Sequence, residues 1–303
     1  MKDFRVGYLY SLAPIHCGGE CDLGNISEIA REVHTNFPYI PGSSLRGSLR
    51  NEVQEYQGKE IADRLFGHEL TDRKMGVHQI WFGDARLLWV PMRTMSVQGE
   101  DVFTWVSCPT LLRDCALISR RTFNGFAALT SAVGSRKDTY MVADARVEVE
   151  LMTEEQQRSI DLTENWSSSL GSDTKSQWQN NRIIIPDNDF QVLMEHALWT
   201  QVRNVTADTG GAEIFWTDVC IPRDTIFYYG WGYSVAKNDP IQATDCEVMQ
   251  EILTGLIQVG GQANVGRGWV QSWVADDKSP IMDPESSSGV LIATGDVKST
   301  DAN

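Results

Sequence analysis

Two short stretches carry residue types suited to binding a polyanion. In the first, Pro38, Pro41 and Gly42 build a turn that runs into Ser43 and Ser44, and a helix launched there sets Arg46 and Arg50 one turn apart. Cap hydroxyls, unpaired backbone N–H groups and two guanidinium groups then share one helix end, an arrangement suited to phosphate. Arg31 lies just upstream. In the second stretch, Val259–Trp269, glycines 260, 261, 266 and 268 (Gly260, Gly261, Gly266, Gly268) let the backbone approach a ligand closely, while Gln262 and Arg267 add donors. The spacing is neither a Walker A loop nor a dinucleotide fingerprint. A plain glycine-rich turn between a helix and a strand reads these residues equally well. Paired with the arginine-bearing helix, the loop points to RNA.

Catalytic chemistry is less legible. His16, in the loop after the first strand, is the best lone general acid or base, although a lone histidine is more often structural. Asp22 and Glu28 flank the same loop and could orient a 2′-hydroxyl or hold Mg²⁺; they could equally be solvated loop charges. His16-Cys17-Gly-Gly-Glu-Cys21 lacks the spacing of a zinc site, and His34, His68, His78 and His196 fall in no ligand pattern. No nucleophile elbow is present. The ten tryptophans read mostly as core, with base stacking open to some of them.

The 303 residues, 42% hydrophobic, suffice for a substantial core in one large domain or two small ones. No apolar run reaches the ~20 residues of a membrane span, and no leader precedes residue 20, so a cytoplasmic, membrane-free protein is expected. Six scattered cysteines suit free thiols in a reducing compartment. A net charge of −15 argues against a surface that is basic throughout. Acidic residues crowd into 145–175, 185–195 and 275–303, leaving 31–50 locally basic.

These groups need a frame. Phe4–Ala13 reads as a first strand, and a helix from Ser44 to about Tyr56 buries Leu45, Leu49 and Val53. Ile61–Phe66 is a short helix ending at Gly67, Val77–Pro91 a strand with Gly83-Asp84 as a bulge, Val102–Ser107 a strand and Pro109–Ala116 a helix. Residues 120–180 are less regular, with a helix near 153–160 and a polar loop from Trp166. Then follow a strand Arg182–Ile185, a helix Phe190–Gln201, and a hairpin Val202–Thr217 tipped by Thr209, Gly210 and Gly211. A long aromatic strand Ile221–Val235, a helix Asp245–Leu256, the glycine loop and a strand Trp269–Ala275 complete the order. It fits an α+β fold with a ferredoxin-like core, here one domain over 1–275, and an acidic, flexible tail over 276–303.

Leu9-Tyr-Ser-Leu-Ala-Pro-Ile-His16 and Arg31-Glu-Val-His-Thr-Asn-Phe-Pro-Tyr-Ile-Pro-Gly-Ser-Ser-Leu-Arg-Gly47 closely resemble the start of the RAMP-superfamily backbone subunit of type III-B (Cmr) CRISPR–Cas effector complexes. The likeness continues through Leu65-Phe-Gly, Phe82-Gly-Asp-Ala-Arg86, Pro91-Met-Arg93, Ile221–Tyr228 and the glycine loop; residues 120–180 match poorly. The corresponding type III-A subunit is the nearest other family. The resemblance implies an RRM-like palm with an inserted thumb hairpin, here about 202–217. It implies CRISPR RNA and complementary target RNA as ligands, and further copies of the chain and other type III effector subunits as partners. It also implies target-RNA cleavage dependent on Mg²⁺ or another divalent cation. One departure stands out. Where the family's cleaving subunits carry an aspartate before Ile-x-Arg-Glu, this chain is one residue shorter and places Ser27, with Glu28 beside it and Asp22 upstream. A serine does not hold a divalent cation as a carboxylate does. The expected role is an RNA-holding backbone subunit with weak cleavage, or cleavage carried by Glu28 or Asp22. The alternatives are a freestanding CRISPR-transcript-processing endoribonuclease using His16, and a purely structural assembly protein.

Overall fold

The computed structural model describes residues 3–18, 26–68, 78–96, 102–126, 129–162, 166–206, 212–234 and 241–275. In chain order the first half holds β1 (Arg5–Ser11), β2 (Ile26–Ser27), β3 (Tyr39–Ile40), α1 (Gly42–Gln57), α2 (Lys59–Phe66), β4 (Ile80–Phe82), β5 (Ala85–Ser96), β6 (Phe103–Ser107) and α3 (Pro109–Ile118). The middle holds β7 (Ala132–Gly134), β8 (Asp138–Val142), β9 (Ala145–Leu151), α4 (Glu154–Ser159), α5 (Gly171–Asn180), β10 (Arg182–Ile184) and α6 (Asp187–Ala197). The last third holds β11 (Trp199–Thr206), β12 (Ala212–Cys220), β13 (Ile226–Tyr233), α7 (Ala243–Leu253), β14 (Leu256–Gln258) and β15 (Trp269–Val274).

The palm is the antiparallel run β15-β1-β13-β5, crossed by α1 between β1 and β5 and by α7 between β13 and β15. That is the ferredoxin-like order, and the fold is α+β. Period-two alternation explains why both faces are apolar. Leu9, Phe227, Tyr229 and Val270 meet Leu45, Leu49 and Val53 of α1 and Met249 and Leu253 of α7. Tyr8, Tyr10, Tyr228 and Trp273 face the opposite cluster with Trp89, Trp105 and Trp178. With both faces covered, all eight residues of β13 are buried.

Beyond the palm the sheet continues β5-β6-β10-β7-β9-β8, and β8 pairs again with β5, so this half returns on itself. The described residues of 120–180 therefore supply three strands and two α-helices. The polar tract from Trp166, expected as a loop, instead forms a 3₁₀ turn (Ser168–Leu170) and α5, because Trp178 is buried against Trp89 and Trp166. The helix expected over Phe190–Gln201 ends at Ala197, and Trp199–Gln201 belong to β11, paired with β12. The hairpin strands reach further than expected, and β2 joins them in parallel to make a three-stranded sheet. The hairpin tip Thr209–Gly211, Asp22 and the tail 276–303 lie outside the described residues.

Candidate nucleic-acid interface

The loop after β1 is stitched to three distant segments. Ile15 bridges Ile221, His16 bridges Gly261 and Gly18 bridges Ile29, with Gly261 N–H donating to the His16 carbonyl at 2.7 Å. This brings the end of the hairpin, the glycine loop and β2 to one place. The His16 ring is 5% exposed there. Its Nδ1 lies 2.8 Å from the Val219 carbonyl, which can only accept, so Nδ1 carries a proton. In the neutral ring Nε2 then accepts the Ser27 hydroxyl, 3.2 Å away. His16 thus orients Ser27, the residue standing where the resemblance sets an aspartate.

Directly across the parallel strand pair from Ser27 lies Asp218. Its carboxylate is fully buried and accepts from Arg267 Nη1 at 3.1 Å, Gln262 Nε2 at 3.1 Å and Arg203 Nη2 at 3.0 Å. Burial alone would raise its pKa, but the hydrogen bonds from Arg203 and Gln262 and the two positive charges hold it below the ordinary carboxylate range. Arg267 is itself 5% exposed and donates further to Gln262 and Gln201. Arg267 and Gln262, expected to offer donors to a ligand, engage these donors within the protein. They fasten the glycine loop to the hairpin base.

The glycines serve the same closure. Gly260, at φ +80°, would drive a Cβ to 2.5 Å from the His16 carbonyl oxygen, and Gly268, at φ +82°, to 2.0 Å from that of Val259. Gly268 N–H also donates to Pro14. What approaches these glycines closely is the protein's own backbone. Gly266, at φ +78°, has open space around it, and Gly261 would accept a Cβ in ordinary contact.

The arginine-bearing helix differs more from expectation. It starts at Gly42 after Pro41, with no side-chain cap; Ser43 and Ser44 lie inside the first turn, and the Asp84 carboxylate takes the Gly42 N–H at 2.7 Å. The helix end thus already faces a carboxylate. Arg46 donates to the Phe66 carbonyl and Arg50 to the Gly67 carbonyl and to Asp63, so both guanidinium groups clasp α1 to α2. Arg31 makes a two-pronged contact with Glu195 on α6, at 2.6 and 3.1 Å.

Among the described residues, the donor set at this seam does not suit a divalent cation. Ser27 is a neutral hydroxyl engaged with His16, and Asp218 is enclosed by two arginines. Among the described residues no cluster of three His, Cys, Asp or Glu could hold a metal. The described cysteines are free thiols, and burial pushes Cys17 up to about 12, far from a reactive thiolate.

Sequence reasoning missed Asp218 and Arg203 and read Trp216 among the mostly core tryptophans, whereas it is 36% exposed. Arg203 and Trp216 are direct cross-strand partners, as are Gln201 and Asp218, so all four side chains share one face of the hairpin. That alternation was readable once the hairpin was recognised.

A model described as the RAMP superfamily matches residues 8–271. The CRISPR system Cmr endoribonuclease Cmr4 of Pyrococcus furiosus is 30% identical over 285 residues, covering 89% of this chain and 95% of that protein. The oligomeric Cmr4 crystal structure from the same organism superposes with a TM-score of 0.65 at 23% identity, over 91% of this chain and 98% of that one. A type III-B Cmr-beta chain from a cryo-EM structure bound to cognate target RNA gives 0.69 at 16% identity, over 89% and 96%. No helix among the described residues is long and apolar enough to cross a membrane. The chain belongs to the RAMP superfamily, and within it to the family of type III-B Cmr backbone subunits.

Proposed function

We propose that this chain is an RNA-holding backbone subunit of a type III-B CRISPR–Cas effector complex, carrying CRISPR RNA and complementary target RNA beside further copies of itself and other effector subunits. One observation carries the reading: the glycine loop, His16, Ser27 and the hairpin base, far apart in sequence, meet at a single seam in a chain 30% identical to Cmr4. The RNA contacts assigned here lie at that seam, on Ser27, the open glycine Gly266 and the hairpin, with Thr209–Gly211 as its thumb tip. Arg46 and Arg50 serve as a structural clasp.

Ser27 supplies no metal ligand, so metal-dependent cutting by this subunit must draw its carboxylates from Glu28 or Asp22. The relative bears the name endoribonuclease; the change at Ser27 separates holding from cutting in this chain. Extraction of nucleic acid from the complex assembled with its neighbouring subunits tests the reading. Recovery of CRISPR RNA protected along its length supports it. An RNA-free assembly contradicts it and favours a purely structural role, and multiple-turnover cutting of repeat RNA by the isolated chain favours a His16-based processing nuclease.

A further inference from the structure

The Asp218 cluster is unbalanced. Among the described residues, one carboxylate here pairs with two guanidinium groups, a surplus of one positive charge within the cluster. Arg267, 5% exposed, spends its donors on Asp218, Gln262 and Gln201. Arg203, 42% exposed, therefore displays the surplus at the surface. Trp216 stands directly across the antiparallel pair from Arg203, on the same face, and is 36% exposed. Ser27 completes the edge beside Asp218, its hydroxyl oriented by His16.

We propose that Arg203, Trp216 and Ser27 form a metal-independent subsite for one nucleotide of single-stranded RNA, with Arg203 on the phosphate, Trp216 against the base and Ser27 at the sugar–phosphate edge. The inference rests on the RNA-holding reading and adds what replaces a cation at Ser27. A phosphodiester carries one negative charge, which matches the surplus on the cluster. Asp218 holds the guanidinium fork in place, so little rotamer freedom is lost when phosphate arrives. An exposed indole next to a fixed guanidinium is the pairing that single-strand binders use, stacking for the base and charge for the backbone. A divalent cation is disfavoured at the Asp218 carboxylate, because two guanidinium groups already enclose it. The position that the family resemblance gives to an aspartate therefore holds phosphate through a built-in cation.

Filter binding of a labelled single-stranded oligoribonucleotide to the purified full-length chain tests this, over a salt series, with Mg²⁺ or with EDTA. Wild-type binding is expected to be equal in the two conditions. Arg203→Gln is expected to weaken binding on the order of tenfold and to reduce the salt slope by about 0.7, the share of one phosphate on a single strand. Arg203→Lys keeps the slope, since the charge remains. Trp216→Leu weakens binding on the order of tenfold with the slope unchanged. Arg203→Gln removes one charged hydrogen bond from buried Asp218 but leaves it paired with Arg267, so the variant is expected to fold with a lowered melting temperature; Trp216→Leu, at an exposed site, carries the test if it does not. Wild-type binding with unchanged affinity in both variants overturns the subsite alone, as does binding lost in EDTA. Failure of the wild-type chain to bind RNA sinks the reading beneath it. Intact RNA affinity in Arg203→Gln with loss of subunit assembly would assign the patch to an acidic protein surface instead.

Discussion

Asp218 and Arg267 form a buried ion pair, Nη1 to Oδ2 at 3.1 Å, that joins the base of the hairpin to the glycine loop. Both partners lie out of water, so the pair matters through what its loss would strand. Asp218→Ala leaves the Arg267 guanidinium buried without a counter-charge, at a cost of about 3–5 kcal/mol. Denaturant titration should show a lowered midpoint. The pH response has a defined sign. Asp218 is held below its ordinary pKa, so its contribution is complete above the unfolded-state value of about 3.9 and fades as pH falls through the lower folded-state value. Below about pH 4 the wild type should lose stability more steeply than the alanine variant.

Arg46 and Arg50 yield a different signature. Their hydrogen bonds to the Phe66 and Gly67 carbonyls and to Asp63 hold α2 against α1. Alanine at either position is expected to cost about 1–3 kcal/mol, the range for hydrogen bonds from a charged donor. The slope of RNA affinity against salt should not change. A stability measurement paired with a salt series separates the two effects.

The glycine loop gives a graded series. Gly268→Ala places a Cβ 2.0 Å from the Val259 carbonyl oxygen at φ +82°, so strain and collision add; destabilisation above about 3 kcal/mol is expected. Gly266→Ala meets no neighbour within 4 Å and bears the left-handed conformation alone, about 1 kcal/mol. Thermal unfolding should rank Gly268→Ala well below Gly266→Ala. A reversed order would mean that the loop closes differently.

Much of the frame was legible because burial imposes simple periods. Leu45, Leu49 and Val53 recur at helical spacing and are all buried, and β1 alternates between two apolar faces. The tract after Trp166 was not legible: its polarity reads as loop, and only Trp178, buried against Trp89 and Trp166, makes it a helix. The site divides the same way. Sequence spacing drew attention to Arg46, Arg50, Arg267 and His16, yet spacing cannot show that a guanidinium is already taken by a carbonyl from the next helix. Asp218 and Arg203 escaped notice because their meeting with Arg267 and Ser27 depends on hairpin register and on a loop some fifty residues away.

Ser27 lies beside a cluster with surplus positive charge, so restoring a carboxylate there is expected to be insufficient for cutting. In Ser27→Asp the new carboxylate meets His16 and the positive charge of the neighbouring Arg203–Asp218–Arg267 cluster before any divalent cation. Adding Arg203→Gln frees it, and the double variant should raise Mg²⁺-dependent target-RNA cleavage on the order of tenfold or more over Ser27→Asp. Cleavage by assembled complexes with labelled target RNA reports this directly.

Ultraviolet crosslinking of the RNA-loaded complex, with the attached peptides identified by mass spectrometry, tests the location of the RNA most directly. The account predicts nucleotides attached at the hairpin base around Trp216 and at the Ile26–Ile29 segment. Crosslinks confined to α1 and α2, with none at the hairpin or β2, would contradict it.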